Sequence, residues 1–261
     1  MSLPRAAIRW RTLIHEVPVT GARNMSLDHA LADLNGPGEA VLRLYGWDPP
    51  TISFGRNEPT RGRYDLEAAR REGVGFVRRP TGGRSVLHRT EVTYCAVLPA
   101  HVLGGPKEAY VLINEGLVRG LHLLGCAAEV AREGRVLPPD AGPCFQAPAP
   151  GEVMLAGRKL VGSAQVRVGE NILQHGSIML GGDQGALARL TGRAADRFPP
   201  ATVEGAIGTV AWRAVAEALA EGMALALDGS WRQGDVTSEE DVRARCLETE
   251  RYSDDAWTWR R

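Results

Sequence analysis

Apolar and polar residues alternate from Ile8 to Ile14, the period of a strand with one buried face. The stretch after it, "GARNMSLDHALADL", changes to the spacing of an amphipathic helix, and "NGPG" closes that helix. "EAVLRLYGW" returns to alternation and sets Val41, Arg43 and Tyr45 on one face of a second strand. A short strand lies within "DPPTISFGRNEP", and "RYDLEAARREG" reads as a helix stopped at Gly73. "VGFVRR", "SVLH" and "EVTYCAVLP" predict three strands separated by turn residues. A helix is expected from about Pro106 to Gly125, then a short strand near 127–131.

The segment from Gly134 to Pro150 holds five prolines, which offer no backbone N–H and forbid a helix. After it, "GEVMLAG", "RKLVGSAQVRVG" and "NILQHGSIML" predict a meander that turns at Gly157 and again at 169–171. The remainder reads as helical near 184–190, 208–227 and 238–250. No internal repeat or flexible linker interrupts the pattern. The expectation is a single α+β domain over residues 1–261, its core roughly 36–228, with helices against a mostly antiparallel or mixed β-sheet.

Composition narrows the partners. Of 261 residues 44% are hydrophobic, ample for a buried core. Lys plus Arg and Asp plus Glu both number 31, so the formal net charge is zero. No global field draws in nucleic acid or an anionic membrane, and an acidic partner must be met by a local patch. The N-terminal stretch lacks the continuous apolar run of a signal peptide, and the most apolar helix carries Arg213, Glu217 and Glu221, so no membrane span is expected. Cysteines stand at 95, 126, 144 and 246, with no CxxC pair and no Cys/His cluster. That usage reads as a cytoplasmic protein with reduced thiols and no metal site. Cys95, inside an apolar strand, and Cys126, at a helix end, read as small buried hydrophobes.

Three stretches offer chemistry. In "RRPTGGRSVLH", Gly82 and Gly83 let the backbone approach a ligand or take positive φ, while Arg78, Arg79 and Arg84 bring positive charge. A plain turn with solvated arginines has the same sequence signature. In "AGPCFQAPAPGEVMLAGRKLVGSAQV", Cys144 precedes Lys159 by fifteen residues. A free thiol has a pKa near ~8.5, and a neighbouring ammonium raises its thiolate fraction. If "RKLVGSAQV" is a strand, Lys159, Val161, Ser163 and Gln165 share one face, and Leu160, Gly162, Ala164 and Val166 the other. Spacing alone favours an ordinary loop thiol and a hairpin lysine. In "NILQHGSIML", His175 interrupts an apolar strand, a position more often structural than catalytic.

Taken in order, "GARNMSLDHAL", "LRLYGWDPPTISFGRNEP", "VRRPTGGRSVLHRTEVTYCAVLP", "GRKLVGSAQVR" and "ILQHGSIML" resemble the lipoate/biotin protein ligase and octanoyltransferase superfamily, over roughly residues 20–255. The resemblance implies the catalytic-domain fold of those ligases, without the C-terminal accessory domain that many of them carry. ATP-dependent ligases have a third glycine and a His-Asp pair in the first motif. Here Arg84 replaces that glycine, and Arg89 follows His88. The "PCFQAP" segment instead resembles the cysteine-type octanoyltransferase branch.

That branch implies a mechanism and its partners. Cys144 would take an octanoyl group from octanoyl-acyl carrier protein, with Lys159 holding the thiolate. It would then pass the group to a lysine of a lipoyl-domain protein, such as the glycine cleavage H protein or an oxoacid dehydrogenase acyltransferase subunit. By the same analogy Gly82, Gly83, Gly162, Ser163 and Ala164 line the acyl tunnel. Arg79 and Arg84 would meet the acidic carrier, and His88 and His175 are further substrate-binding candidates. No cofactor is implied; ATP and Mg enter only in the alternative of a ligase that forms a lipoyl-adenylate, where Cys144 is incidental. Another alternative is an amidotransferase that draws its octanoyl group from a lipoyl domain, and a third is a binding module without turnover.

Overall fold

The computed structural model describes residues 8–131, 151–192 and 199–261. Eleven strands and eight α-helices are defined there: β1 (Arg9–Val19), α1 (Gly21–Leu34), β2 (Glu39–Trp47), β3 (Thr51–Phe54), α2 (Leu66–Arg71), β4 (Gly75–Arg78), β5 (Val86–His88), β6 (Glu91–Pro99), α3 (Pro106–Leu123), β7 (Glu129–Val130), β8 (Val153–Leu155), β9 (Arg158–Val168), β10 (Asn171–Met179), α4 (Gly185–Leu190), α5 (Val203–Ile207), α6 (Trp212–Ala226), β11 (Ser230–Gln233), α7 (Ser238–Leu247) and α8 (Asp255–Thr258). Eight strands make one mixed sheet in the order β11-β1-β2-β6-β10-β9-β8-β7, and β4-β3-β5 make a second. The α+β reading of the sequence holds.

Alternation along β2 builds the layers. Leu42 and Leu44 face a core filled from α3 by Ile113, Leu117 and Leu121 and from α6 by Val215 and Leu219. Val41 and Tyr45 face the opposite core, which α1 fills with Met25, Leu27 and Leu31 and α7 with Ala244 and Leu247. Helices therefore cover both faces of the large sheet. The α1 boundary matches the sequence pattern because Thr20 caps it, its hydroxyl accepting from the Arg23 amide at 3.2 Å. Since α1 crosses back over the sheet, β1 and β2 run parallel.

Three differences from the sequence pattern have local causes. The strands predicted in succession at 75–99 do not form one sheet: β4 pairs parallel and β5 antiparallel with β3, whereas β6 pairs with β2 and β10. The helix expected from Gly208 begins at Trp212, because α5 ends at Gly208, whose φ of 81° breaks helical geometry. Arg78, expected to charge the surface of its turn, is fully buried. Its guanidinium donates to the Gly55, Glu58 and Thr258 carbonyls at 2.7, 2.9 and 2.9 Å, clamping the end of the chain to the small sheet.

Candidate functional site

β9 and β10 pair antiparallel so that Gly162 faces Ser177, Ser163 faces Gly176 and Ala164 faces His175. These small residues, with Gly83 and the side chains of Met25, Tyr45, Trp47 and Val86, surround a pocket of about 420 Å³ including its mouth. Two glycines keep its walls close-packed. A Cβ on Gly176 would lie 2.6 Å from the Gly162 carbonyl oxygen, and one on Gly55 would lie 1.8 Å from that of Gly83. Gly83 itself takes φ 88°, the positive-φ turn its sequence allowed.

Beneath the apolar lining run two buried polar networks. Asp28, on α1, accepts from Arg43 Nη1 at 2.8 Å, Tyr45 OH at 2.7 Å and His175 Nδ1 at 3.0 Å. Burial alone would raise its carboxyl pKa, but the His175 hydrogen bond and the Arg43 guanidinium override it and hold the group below its ordinary value. Burial keeps His175 neutral, its pKa lowered despite Asp28. With Nδ1–H given to Asp28, Nε2 accepts from the Thr81 hydroxyl at 2.7 Å, which fixes the ring as a wall of the pocket.

The second network centres on Glu91. His88 Nδ1 donates to Glu91 Oε1 at 2.6 Å, and Thr93 and Ser177 donate to the same carboxylate. His88 Nε2 accepts from Ser53 Oγ at 2.7 Å, and its ring stacks on Trp47 with centroids 3.9 Å apart. Arg79 donates to Ser53 Oγ at 3.0 Å, to the Gly82 carbonyl at 2.9 Å and to the Arg84 carbonyl at 2.7 Å. Its charge holds the 80–84 turn in shape.

Lys159 sits elsewhere on β9. Its Nζ is 2.6 Å from Glu152 Oε1, and the side chains are 1% and 9% exposed. Glu152 stands where the segment 132–150 rejoins the sheet: the Ala131 amide donates to the Glu152 carbonyl at 2.7 Å, and the Gly151 amide to the Ala131 carbonyl at 2.8 Å. The two ends of that segment are thus held together beside Lys159.

Of the residues the sequence singled out, Arg79, Gly83, His88, Gly162, Ser163, Ala164 and His175 all line the one pocket. Gly82, Arg84 and Lys159 are not among its lining residues. Gly82 is exposed and gives its carbonyl to Arg79, while Arg84 is buried. Arg79 and Arg84 were expected to meet an acidic carrier; at 6% and 7% exposure neither presents a guanidinium to a partner's surface. Cys144 lies outside the described residues. Among the described thiols, Cys95 is buried, its pKa pushed well up by lost hydration and by Asp28, so it is no nucleophile. Among the described residues no cluster of His, Cys, Asp or Glu could hold a metal ion, and no helix is long and apolar enough to cross a membrane.

Sequence reasoning missed Asp28, Glu91, Ser53, Thr81 and Glu152. One signal was available: Arg43 breaks an apolar strand face, so a buried acid had to oppose it. The partner, fifteen residues upstream on α1, is Asp28.

The family described as the lipoyl protein ligase A/B catalytic domain matches residues 20–210. Octanoyltransferase LipM of Kyrpidia tusciae is 43% identical, with 97% of this chain and 99% of that protein covered. Octanoyltransferase LipM of Symbiobacterium thermophilum is 38% identical over 92% of this chain and 95% of that protein. Among solved structures, a lipoate-protein ligase A bound with ATP has a TM-score of 0.83 at 23% identity, over 97% of this chain and 99% of the other. A bi-partite lipoate protein ligase from Thermoplasma acidophilum has a TM-score of 0.75 at 21% identity, over 97% and 96%. Those two likenesses speak for the fold alone. With most of its length inside the family match and near-complete relatives well above 30% identity, the chain belongs to the lipoyl protein ligase A/B catalytic-domain family.

Proposed function

We propose that this protein is a cytoplasmic octanoyltransferase that carries an octanoyl group from acyl carrier protein, through Cys144, to a lysine of a lipoyl domain. The observation that carries this reading is the identity, 43% and 38% along nearly the whole chain, to proteins named as octanoyltransferases. The pocket supports it: Met25, Trp47, Tyr45 and Val86 offer an acyl chain apolar walls, and Gly83, Gly162 and Ala164 leave it room.

The reaction balances without a cofactor. The Cys144 thiolate attacks the octanoyl carbonyl carbon; a new C–S bond forms, the bond to the carrier's sulfur breaks, and the carrier leaves as a thiol after taking a proton. A lysine amine of the acceptor then attacks the octanoyl-cysteine. The amide C–N bond forms, the C–S bond breaks, and the amine's proton returns the cysteine to its thiol. Exchange between thioesters is nearly isoenergetic and thioester to amide runs downhill, so neither ATP nor Mg is required. Cys144 precedes Gly151 by seven residues, a tether of at most about 25 Å. The Lys159 ammonium, held by Glu152 at the point where that tether meets the sheet, favours the thiolate.

The test is intact mass of the protein after incubation with octanoyl-acyl carrier protein in the absence of ATP. One octanoyl adduct is expected on the wild type and none on Cys144→Ala. An adduct that survives Cys144→Ala, or one that forms only when ATP is added, overturns the reading.

A further inference from the structure

An acidic carrier needs a positive surface, and Arg79 and Arg84 do not supply it because they are turned inward. A different set of arginines meets beside the same turn. Arg56 follows Gly55, and its backbone amide donates to the Thr81 carbonyl at 2.7 Å, next to the Gly83 wall of the pocket. Arg260 donates to the Arg56 carbonyl. The Arg260 and Arg251 guanidiniums each lie over the Trp257 ring, 4.0 and 4.5 Å from its centroid. Partial burial, followed by the like charges of Arg56, Arg261 and Arg251, lowers the Arg260 pKa, which reports how closely these cations are gathered.

No carboxylate among the described residues lies within ion-pairing distance of Arg56, Arg251 or Arg260. Several neighbouring acids are engaged elsewhere: Asp33 with Arg243 at 2.6 Å, Asp241 with Arg23 and Arg245, and Glu248 with Arg23 at 3.6 Å. Asp254 caps α8 through the Ala256 amide at 2.8 Å. On a chain of zero net charge, unneutralised arginines gathered beside the turn that borders the pocket are a local positive field.

We infer that the surface formed by Arg56, Arg251, Arg260 and Arg261 docks the acyl donor, an acidic carrier protein that presents its acyl thioester on a phosphate-bearing arm. The inference rests on the octanoyltransferase reading and adds to it the place where the donor binds. Carboxylates on the carrier and the phosphate of its arm are both matched by guanidinium geometry. The acceptor needs only to bring an amine and gains nothing from the second of these. Charges at the rim of an interface act mainly on the association rate and its salt dependence.

Two measurements test this on Arg56→Glu and Arg251→Glu, each first shown to melt at the wild-type temperature. The first is the rate of Cys144 acylation at low salt, from octanoyl-acyl carrier protein and from octanoyl-pantetheine, which has neither acidic body nor phosphate. The expected result is a rise in KM for the carrier substrate of about tenfold or more. Acylation from octanoyl-pantetheine should stay within about twofold of wild type. Equal effects on both donors, or none on the carrier, overturn the inference, and a rise in KM for the lipoyl-domain acceptor alone assigns the surface to the acceptor instead. The second is fluorescence anisotropy of labelled acyl carrier protein, which reads docking whether or not transfer occurs. Loss of salt-sensitive binding in Arg56→Glu is expected, and unchanged binding overturns the inference. Carrier binding without acylation of the wild type would count against the transferase reading and leave the docking surface standing.

Discussion

At the level of single residues, the pocket is made by what is missing as much as by what is present. Ala164 contributes one methyl group to the pocket wall, and its cross-strand neighbour His175 is held by Asp28 and Thr81. A longer side chain at 164 would take up room at the pocket wall. Ala164→Leu is expected to slow acylation by octanoyl-acyl carrier protein about tenfold or more, while a butyryl donor is affected less. Steady-state rates with the two donors measure this, and an equal loss with both would assign Ala164 to some role other than chain length. His175 and His88 both line the pocket with each ring nitrogen engaged in a hydrogen bond. Neither histidine has a free nitrogen to act as base without first breaking a buried hydrogen bond.

Elements were more legible than the contacts between them. Alternation found β2 and helical spacing found α1, because both signals are local in the chain. The pairing of β3 with β4 and β5 was hidden, since a strand's period says which face is buried and nothing about its neighbour. The arginine cluster was hidden for the same reason: residues 56, 251 and 260 meet only after the chain end packs against the small sheet. The crossing of α3 and α6 was also invisible in sequence. Gly120 and Gly222 meet there so closely that a Cβ on Gly222 would stand 2.0 Å from the Gly120 nitrogen and 2.4 Å from its Cα. Backbone cannot step aside as a side chain can, so Gly222→Ala should destabilise the fold by about 1–3 kcal/mol. Urea denaturation measures it; a variant as stable as wild type would mean the two helices are free to separate.

Across the whole molecule, two histidines with lowered pKa values, half-buried His15 and buried His175, make the fold sensitive to acid. Burial, and next the Arg43 guanidinium, push the His15 pKa down to about 4. Arg43 Nε donates to His15 Nδ1 at 3.1 Å, a bond that needs the unprotonated nitrogen. With the folded pKa below the unfolded value of 6.5, the unfolded chain binds more protons between the two. This stability is complete above about pH 6.5 and is lost as the pH falls through that window toward 4. His175, also held neutral, acts in the same direction. The urea midpoint is expected to drop between pH 7 and pH 4.5, and less so in His15→Gln. An equally steep drop in His15→Gln would place the acid sensitivity elsewhere. The single-domain α+β architecture was readable from the alternation of strand and helix periods, but a titration of this kind was not, because it depends on which charges share a core.

The two backbone hydrogen bonds that join Ala131 to Gly151 and Glu152 have a consequence for how such a protein can diversify. A chain excursion whose entrance and exit are fastened to one point presents the sheet with the same boundary whatever its length or sequence. The closure entropy of such a loop grows only slowly with the number of residues inside it. The scaffold and the nineteen residues between Ala131 and Gly151 can therefore change on separate schedules.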